Sequence, residues 1–126
     1  MKIVMNKLAE EIHRRNIQKG FYTPPPSIPK MLMLMVTELA EACEADRNNK
    51  FSGNNAIDKS YLQTENVSHF LEYYEANFKG TFEEEMADVI IRVLDLCAFK
   101  NIDIETQIAA KMRYNVTRPF KHGKKY

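Results

Sequence analysis

The segment Phe82 to Cys97, FEEEMADVIIRVLDLC, constrains the fold more than any other part of the chain. At about 100° per residue, Phe82, Met86, Val89, Ile90, Val93, Leu94, Leu96 and Cys97 cover a wide helical arc, which Ala87 and Ile91 extend. Thr81 and Glu84 ahead of it form a T-x-x-E capping box, so the helix has a marked start. Glu85, Asp88, Arg92 and Asp95 all fall on one narrow strip of that helix. An acidic strip on an apolar helix is usually its solvated side. A second feature is needed to give it another meaning.

Other segments are read the same way. MKIVMNKLAEEIHRRNIQKG sets Ile3, Val4, Leu8 and Ile12 near one face and ends at Gly20, predicting an N-terminal helix over residues 1–20. Residues 21–30, FYTPPPSIPK, contain three consecutive prolines and form an extended crossing. Ser27 caps a second helix running to about Arg47, with Leu32, Val36, Leu39 and Cys43 as its apolar pole. NNKFSGNNAIDKS is a polar loop. A weaker third helix is expected within residues 61–79, offering Leu62, Val67, Phe70, Leu71 and Tyr74 for packing and breaking at Gly80. Asp103 caps a fifth helix from about Ile104 to Val116, and Pro119 forbids its continuation. No alternating strand pattern occurs. The expectation is a single all-α domain over residues 1–126, a bundle of four to five helices.

No apolar run approaches the ~20 residues of a membrane span, and the opening stretch turns charged too soon for a signal peptide, so a cytoplasmic location is expected. Cys43 and Cys97 fall on apolar helical faces, where a thiol acts as a small hydrophobe. Charge is unevenly placed. Residues 111–126 carry six lysines and arginines and no acid, a basic C-terminal segment, while the rest of the chain carries 12 basic and 17 acidic residues.

The second feature is ELAEACEADR. Glu38 and Glu41 stand three apart, as Glu85 and Asp88 do, and i, i+3 spacing puts both carboxylates of a pair on one helical face. If the two helices pack side by side, four carboxylates converge. Two unit charges ~4 Å apart repel by about 4 kcal/mol at an effective dielectric near 20, so such a cluster calls for cations. All-oxygen ligands favour a hard divalent ion, Mg²⁺ or Mn²⁺. A third feature lies in KMRYNVTRPFKHGKKY, where Lys111, Asn115 and Arg118 at i, i+4 and i+7 share one face suited to a polyphosphate. Together these residues suit reaction at phosphorus, and the strip reads as a metal-binding edge.

Glu38-Leu-Ala-Glu41 followed by Glu85-Met-Ala-Asp88 resembles the signature of the MazG-like all-α nucleoside triphosphate pyrophosphohydrolases. The resemblance continues through EEMADVIIRVLDL to NIDIETQIAAKMRYNVTRPFKHGKK and covers about residues 20–47 and 81–126. It implies Mg²⁺-dependent hydrolysis of (deoxy)nucleoside triphosphates to monophosphate and pyrophosphate. Glu38, Glu41, Glu85 and Asp88 then become metal ligands, with Glu41 also orienting or deprotonating the attacking water, and Lys111, Asn115 and Arg118 contact phosphate. It also implies a homodimer or homotetramer. Phe21, Tyr22 and Tyr114 are the aromatic candidates for stacking on a base.

Two other readings stay open. A di-iron carboxylate bundle needs an E-x-x-H motif on each of two helices; Glu10 to His13 supplies one, while His69 is preceded by Asn66. A non-enzymatic nucleic-acid-binding module would use the basic segment with Tyr114, Phe120 and Tyr126 interleaved.

Overall fold

The computed structural model describes residues 2–53 and 58–126. Within them the chain forms five α-helices and no strand: α1 (Asn6–Gln18), α2 (Ile28–Arg47), α3 (Val67–Asn77), α4 (Phe82–Phe99) and α5 (Ile104–Val116), with short 3-10 turns at Lys59–Leu62 and Phe120–Gly123. The all-α expectation therefore holds. Part of the expected polar loop, residues 54–57, lies outside the described residues, as does Met1. No described helix is long and apolar enough to cross a membrane. The chain divides into two compact units, one of Pro26–Arg92 and one of Met1–Pro25 with Val93–Tyr126, and α4 contributes residues to both.

In the Pro26–Arg92 unit, Ser27 caps α2 by accepting the Lys30 N–H at 3.3 Å, and Pro29 stands in the first turn, where a missing N–H costs nothing. α2 ends at Asn48, followed by Asn49 in the left-handed region at φ 55°. The next residues are fastened to the start of α4. The Lys50 carbonyl accepts the Phe82 N–H at 2.8 Å, and the Glu83 carboxylate accepts the N–H groups of Ser52 and Gly53 at 2.9 and 3.1 Å. Phe51 and Phe82 add a ring contact with centroids 5.7 Å apart. At the head of α4, Thr81 Oγ1 accepts the Glu84 N–H at 3.3 Å. Glu84 reaches back to the Gly80 N–H at 2.9 Å, one residue earlier than a standard capping box, and its carboxylate also receives the Tyr74 hydroxyl.

The third helix is shorter than its apolar residues suggest. Asn66 accepts the His69 N–H at 3.1 Å and donates its own N–H to Thr64 Oγ1, so these local bonds start α3 at Val67 and leave residues 59–62 as a separate turn capped by Asp58. Leu62, Val67 and Leu71 are exposed, while Phe70 and Tyr74 are half-buried.

The packed face of α2 differs from the expected one. Met31, Glu38, Ala42 and Ala45 are buried, whereas Leu32, Val36 and Leu39 are 48%, 49% and 48% exposed and Cys43 is exposed with them. The inward side is selected by the small Ala42 and Ala45 and by Glu38, whose partner Arg92 lies on α4. α4 shows a related inversion: Glu85 and Asp95 are buried, and Met86, Ile90 and Ile91 are exposed. The charged strip is buried at Glu85 and Asp95 and half-buried at Asp88 and Arg92.

In the second unit, α1 begins at Asn6 and has no side-chain cap from its own first turn. Glu105, at the head of α5, supplies one by accepting the N–H groups of Met5 and Asn6 at 2.7 and 2.8 Å. Asn6 reciprocates, donating to Asp103 Oδ1 at 2.8 Å and accepting the Ile104 N–H at 3.1 Å. Asp103 also caps α5 as expected, accepting the Thr106 N–H at 3.1 Å. Val4 and Leu8 of the expected α1 face are exposed; Ala9 is the residue of that helix that is buried. Leu94, 1% exposed, is the most deeply buried large side chain.

Candidate metal centre

Three of the four predicted carboxylates meet. One oxygen each from Glu38, Glu41 and Glu85 lie within 4.8 Å of one another, the spacing at which a single cation can bind all three. Glu38 and Glu41 come from adjacent turns of α2, and Glu85 comes from the first turn of α4. The fastening of residues 50–53 to Phe82 and Glu83 brings the two helices into this register. Glu38 and Glu85 are each 8% exposed, whereas Glu41 is exposed, so the centre opens to solvent on the Glu41 side. Asp88, one turn beyond Glu85, is half-buried and feels the charges of Glu38, Glu84 and Glu41.

The electrostatics show what the cluster costs. Burial acts upward on Glu38, but the Arg92 guanidinium, donating to Glu38 Oε1 at 2.7 Å, prevails and holds its carboxyl below the usual range. Glu85 has no such partner. Burial first, then hydrogen-bond contact with Glu41 and Glu38 and their negative charge, push it up to about 7. Its Oε2 atom is buried without a hydrogen-bond partner. Asp88 is also raised, by burial and then by Glu38 and Glu84. An orphaned buried carboxylate oxygen beside two further acids is the arrangement a divalent cation satisfies, and the all-oxygen donor set fits Mg²⁺ or Mn²⁺.

Arg92 and Asp95 share the charged strip, but their partners were not legible from it. Arg92 lies one turn beyond Asp88, a spacing that marks it as a neighbour of the acids. Asp95 belongs to a separate polar node in the other unit: His13 Nδ1 lies 2.8 Å from Asp95 Oδ1, and the Tyr22 hydroxyl donates to Asp95 Oδ2 at 2.8 Å. The His13 and Tyr22 rings meet edge to face at 4.6 Å, with Phe99 against both. His13 is thus engaged with Asp95, and among the described residues no cluster built on Glu10 and His13 forms a metal site. Tyr22, a base-stacking candidate, spends its hydroxyl and ring within this node.

Lys111, Asn115 and Arg118 lie on and just after α5, in the second unit. Lys111 Nζ and Arg118 Cζ stand 5.0 and 5.7 Å from the Tyr114 ring centroid, so both cations flank that ring. Asn115 Oδ1 is buried without a partner. Phe120 and Tyr126 are almost fully exposed. No protein-family model, curated protein or solved structure matches the chain.

Proposed function

We propose that the protein is a Mg²⁺-dependent hydrolase that cleaves (deoxy)nucleoside triphosphates to nucleoside monophosphate and pyrophosphate. The observation that carries this reading is the convergence of Glu38, Glu41 and Glu85 from two helices, two of them buried and one with an unpartnered oxygen. The resemblance of the two acid pairs to MazG-like pyrophosphohydrolases supports the reaction type. Glu38, Glu41 and Glu85, with Asp88 adjoining, would hold the divalent ion, which when bound would polarise phosphoryl oxygens and lower the pKa of a water.

The chain's own residues supply the rest. Glu41, the solvent-facing acid, orients the attacking water and takes its proton. Arg92 holds Glu38 in place. Contact of Lys111, Asn115 and Arg118 with the polyphosphate is what the resemblance implies. The water oxygen bonds to one phosphorus of the α–β anhydride as the bridging P–O bond breaks, giving monophosphate and pyrophosphate, one of which carries that oxygen. This reading includes a homodimer or homotetramer, supported by the half-exposed Leu32, Val36 and Leu39 of α2, and a cytoplasmic setting.

A panel of canonical and modified nucleotides, assayed for pyrophosphate release with and without Mg²⁺, tests the proposal. Release that needs the metal is expected; no release from any of them overturns it. A second reading rests on the exposed Phe120 and Tyr126 among the C-terminal lysines, which suit a non-enzymatic nucleic-acid-binding module. That module would hold an oligonucleotide without metal and release it steeply with salt.

A further inference from the structure

We propose that a cleft beside Glu41, at the C-terminal end of α2, receives the nucleobase of the substrate and that Glu44, Asn48 and Lys50 select which base enters. The inference rests on the hydrolase reading and assigns the part of the substrate that the carboxylates do not hold. The cleft measures about 150 Å³ and is lined by Glu41, Glu44, Ala45, Asn48, Lys50 and Gly80.

Size, charge and reach agree on the occupant. An enclosed cavity of roughly 150 Å³ takes a ring of benzene size, so this open cleft has room for the six-membered ring of a base and not for a whole nucleotide. With Glu41 engaged at the metal centre, Glu44 and Lys50 balance in charge, so the lining holds no excess positive charge for a polyphosphate and suits a neutral ring. Glu41 and Asn48 are seven residues apart, about 10 Å along the helix axis at 1.5 Å per residue, a span that a ribose can bridge between held phosphates and base.

The walls are fixed before any ligand arrives. The Lys50 N–H bonds the Ala45 carbonyl at 2.9 Å and its carbonyl accepts the Phe82 N–H at 2.8 Å. Asn48 Nδ2 donates to Glu44 Oε1 at 3.1 Å. Gly80 adopts φ +75°, and the space where a Cβ would project is open, leaving bare backbone against which a flat ring can lie. Such preorganisation lowers the cost of binding.

The polar groups also favour one kind of base. The Glu44 carboxylate and the Asn48 amide oxygen accept, and the Lys50 ammonium donates. The exocyclic amino group of cytosine or adenine donates to such acceptors, while the neighbouring ring nitrogen accepts from Lys50. Uracil and thymine would turn a carbonyl oxygen toward the Glu44 carboxylate and be repelled.

The test compares wild type, Lys50→Met and Glu44→Gln on dCTP, dATP, dUTP and dTTP with Mg²⁺. In parallel, backbone amide shifts of Lys50 and Gly80 are followed as free deoxycytidine or deoxyuridine is added. Wild type is expected to prefer the amino-bearing bases by roughly tenfold in kcat/KM, and both variants to lose most of that preference through KM. The two amides are expected to shift with deoxycytidine and less with deoxyuridine. Triphosphate hydrolysis with unaltered base preference in both variants overturns the subsite and leaves the hydrolase standing. Absence of hydrolysis overturns the hydrolase reading, and the amide shifts then decide the cleft alone: a deoxycytidine-selective response supports it, and silent amides overturn it.

Discussion

Glu85 concentrates the conflict in this molecule, because a carboxyl 8% exposed and facing two other acids has no counter-charge of its own. Its pKa rises from 4.5 to about 7, so the folded chain keeps a proton that the unfolded chain has already lost across that interval. Stability from this group is therefore complete below about pH 4.5 and declines as the pH rises through 7. A displacement of that size is worth at most about 3 kcal/mol. Asp88, also raised, adds in the same direction. In divalent-free buffer the wild-type melting temperature should fall between pH 5 and pH 8, whereas Glu85→Gln should lose most of that slope and melt higher at pH 8. A wild-type melt indifferent to pH would remove the buried-acid argument. Mg²⁺ should raise the wild-type melting temperature more at pH 8 than at pH 5, since protons and metal compete for the same oxygens. Loss of chemistry should be separable from loss of fold: Glu38→Gln or Asp88→Asn should abolish pyrophosphate release while far-UV circular dichroism stays helical, because an amide oxygen at position 38 still accepts from Arg92 and neutralising Asp88 relieves repulsion. Full turnover in both variants would sink the proposed mechanism. Arg92→Met, by contrast, strips Glu38 of its partner and should lower stability by about 1–2 kcal/mol in urea unfolding, given that the guanidinium is partly exposed.

At the scale of helices, what could be read from the sequence was whatever is decided locally. Ser27, Thr81 and Asp103 cap α2, α4 and α5 as expected, because a cap needs only the residues of one turn. The two acid pairs were legible for the same reason: i, i+3 spacing fixes a shared face whatever surrounds it. The start of α1 was not legible, since its cap comes from Glu105, about a hundred residues away. The inward side of α2 was not legible either. Hydrophobic periodicity identified a real apolar face, but a small-residue side with Ala42, Ala45 and the Glu38–Arg92 pair won the contact within the chain. Asp95 was visible as a charge and invisible as a node, because His13 and Tyr22 are distant in sequence. Asp103 joins the local and distant cases, capping α5 and receiving the Asn6 side chain. Asp103→Ala should therefore cost more than an ordinary cap such as Ser27→Ala, in urea melts of the two variants. Equal losses would show that the Asn6 contact contributes nothing.

For the molecule as a whole, the apolar residues left outside matter most. Leu32, Val36, Leu39 and Cys43 are spaced four, three and four apart, the repeat by which one helix packs along another, and all are exposed in the single chain. Met33 on the same helix and Met86, Ile90 and Ile91 on α4 are exposed as well. Isolated apolar side chains on a surface need no explanation, but a repeat on a 20-residue helix fits the proposed pairing of copies. Its self-matching spacing suits a second copy of α2 related by a two-fold axis. Light scattering after size exclusion should accordingly give a dimer or tetramer at micromolar concentration. A Val36→Glu/Leu39→Glu double variant should run as a monomer with its helical circular dichroism retained, because half-exposed side chains contribute little to packing within one chain. Glu38 and Glu41 lie on the same helix as this repeat, so the monomeric variant should also lose pyrophosphate release if pairing steadies α2. A wild-type protein that stays monomeric at tens of micromolar, or a double variant that remains assembled, would show that the α2 repeat is not the seam between copies.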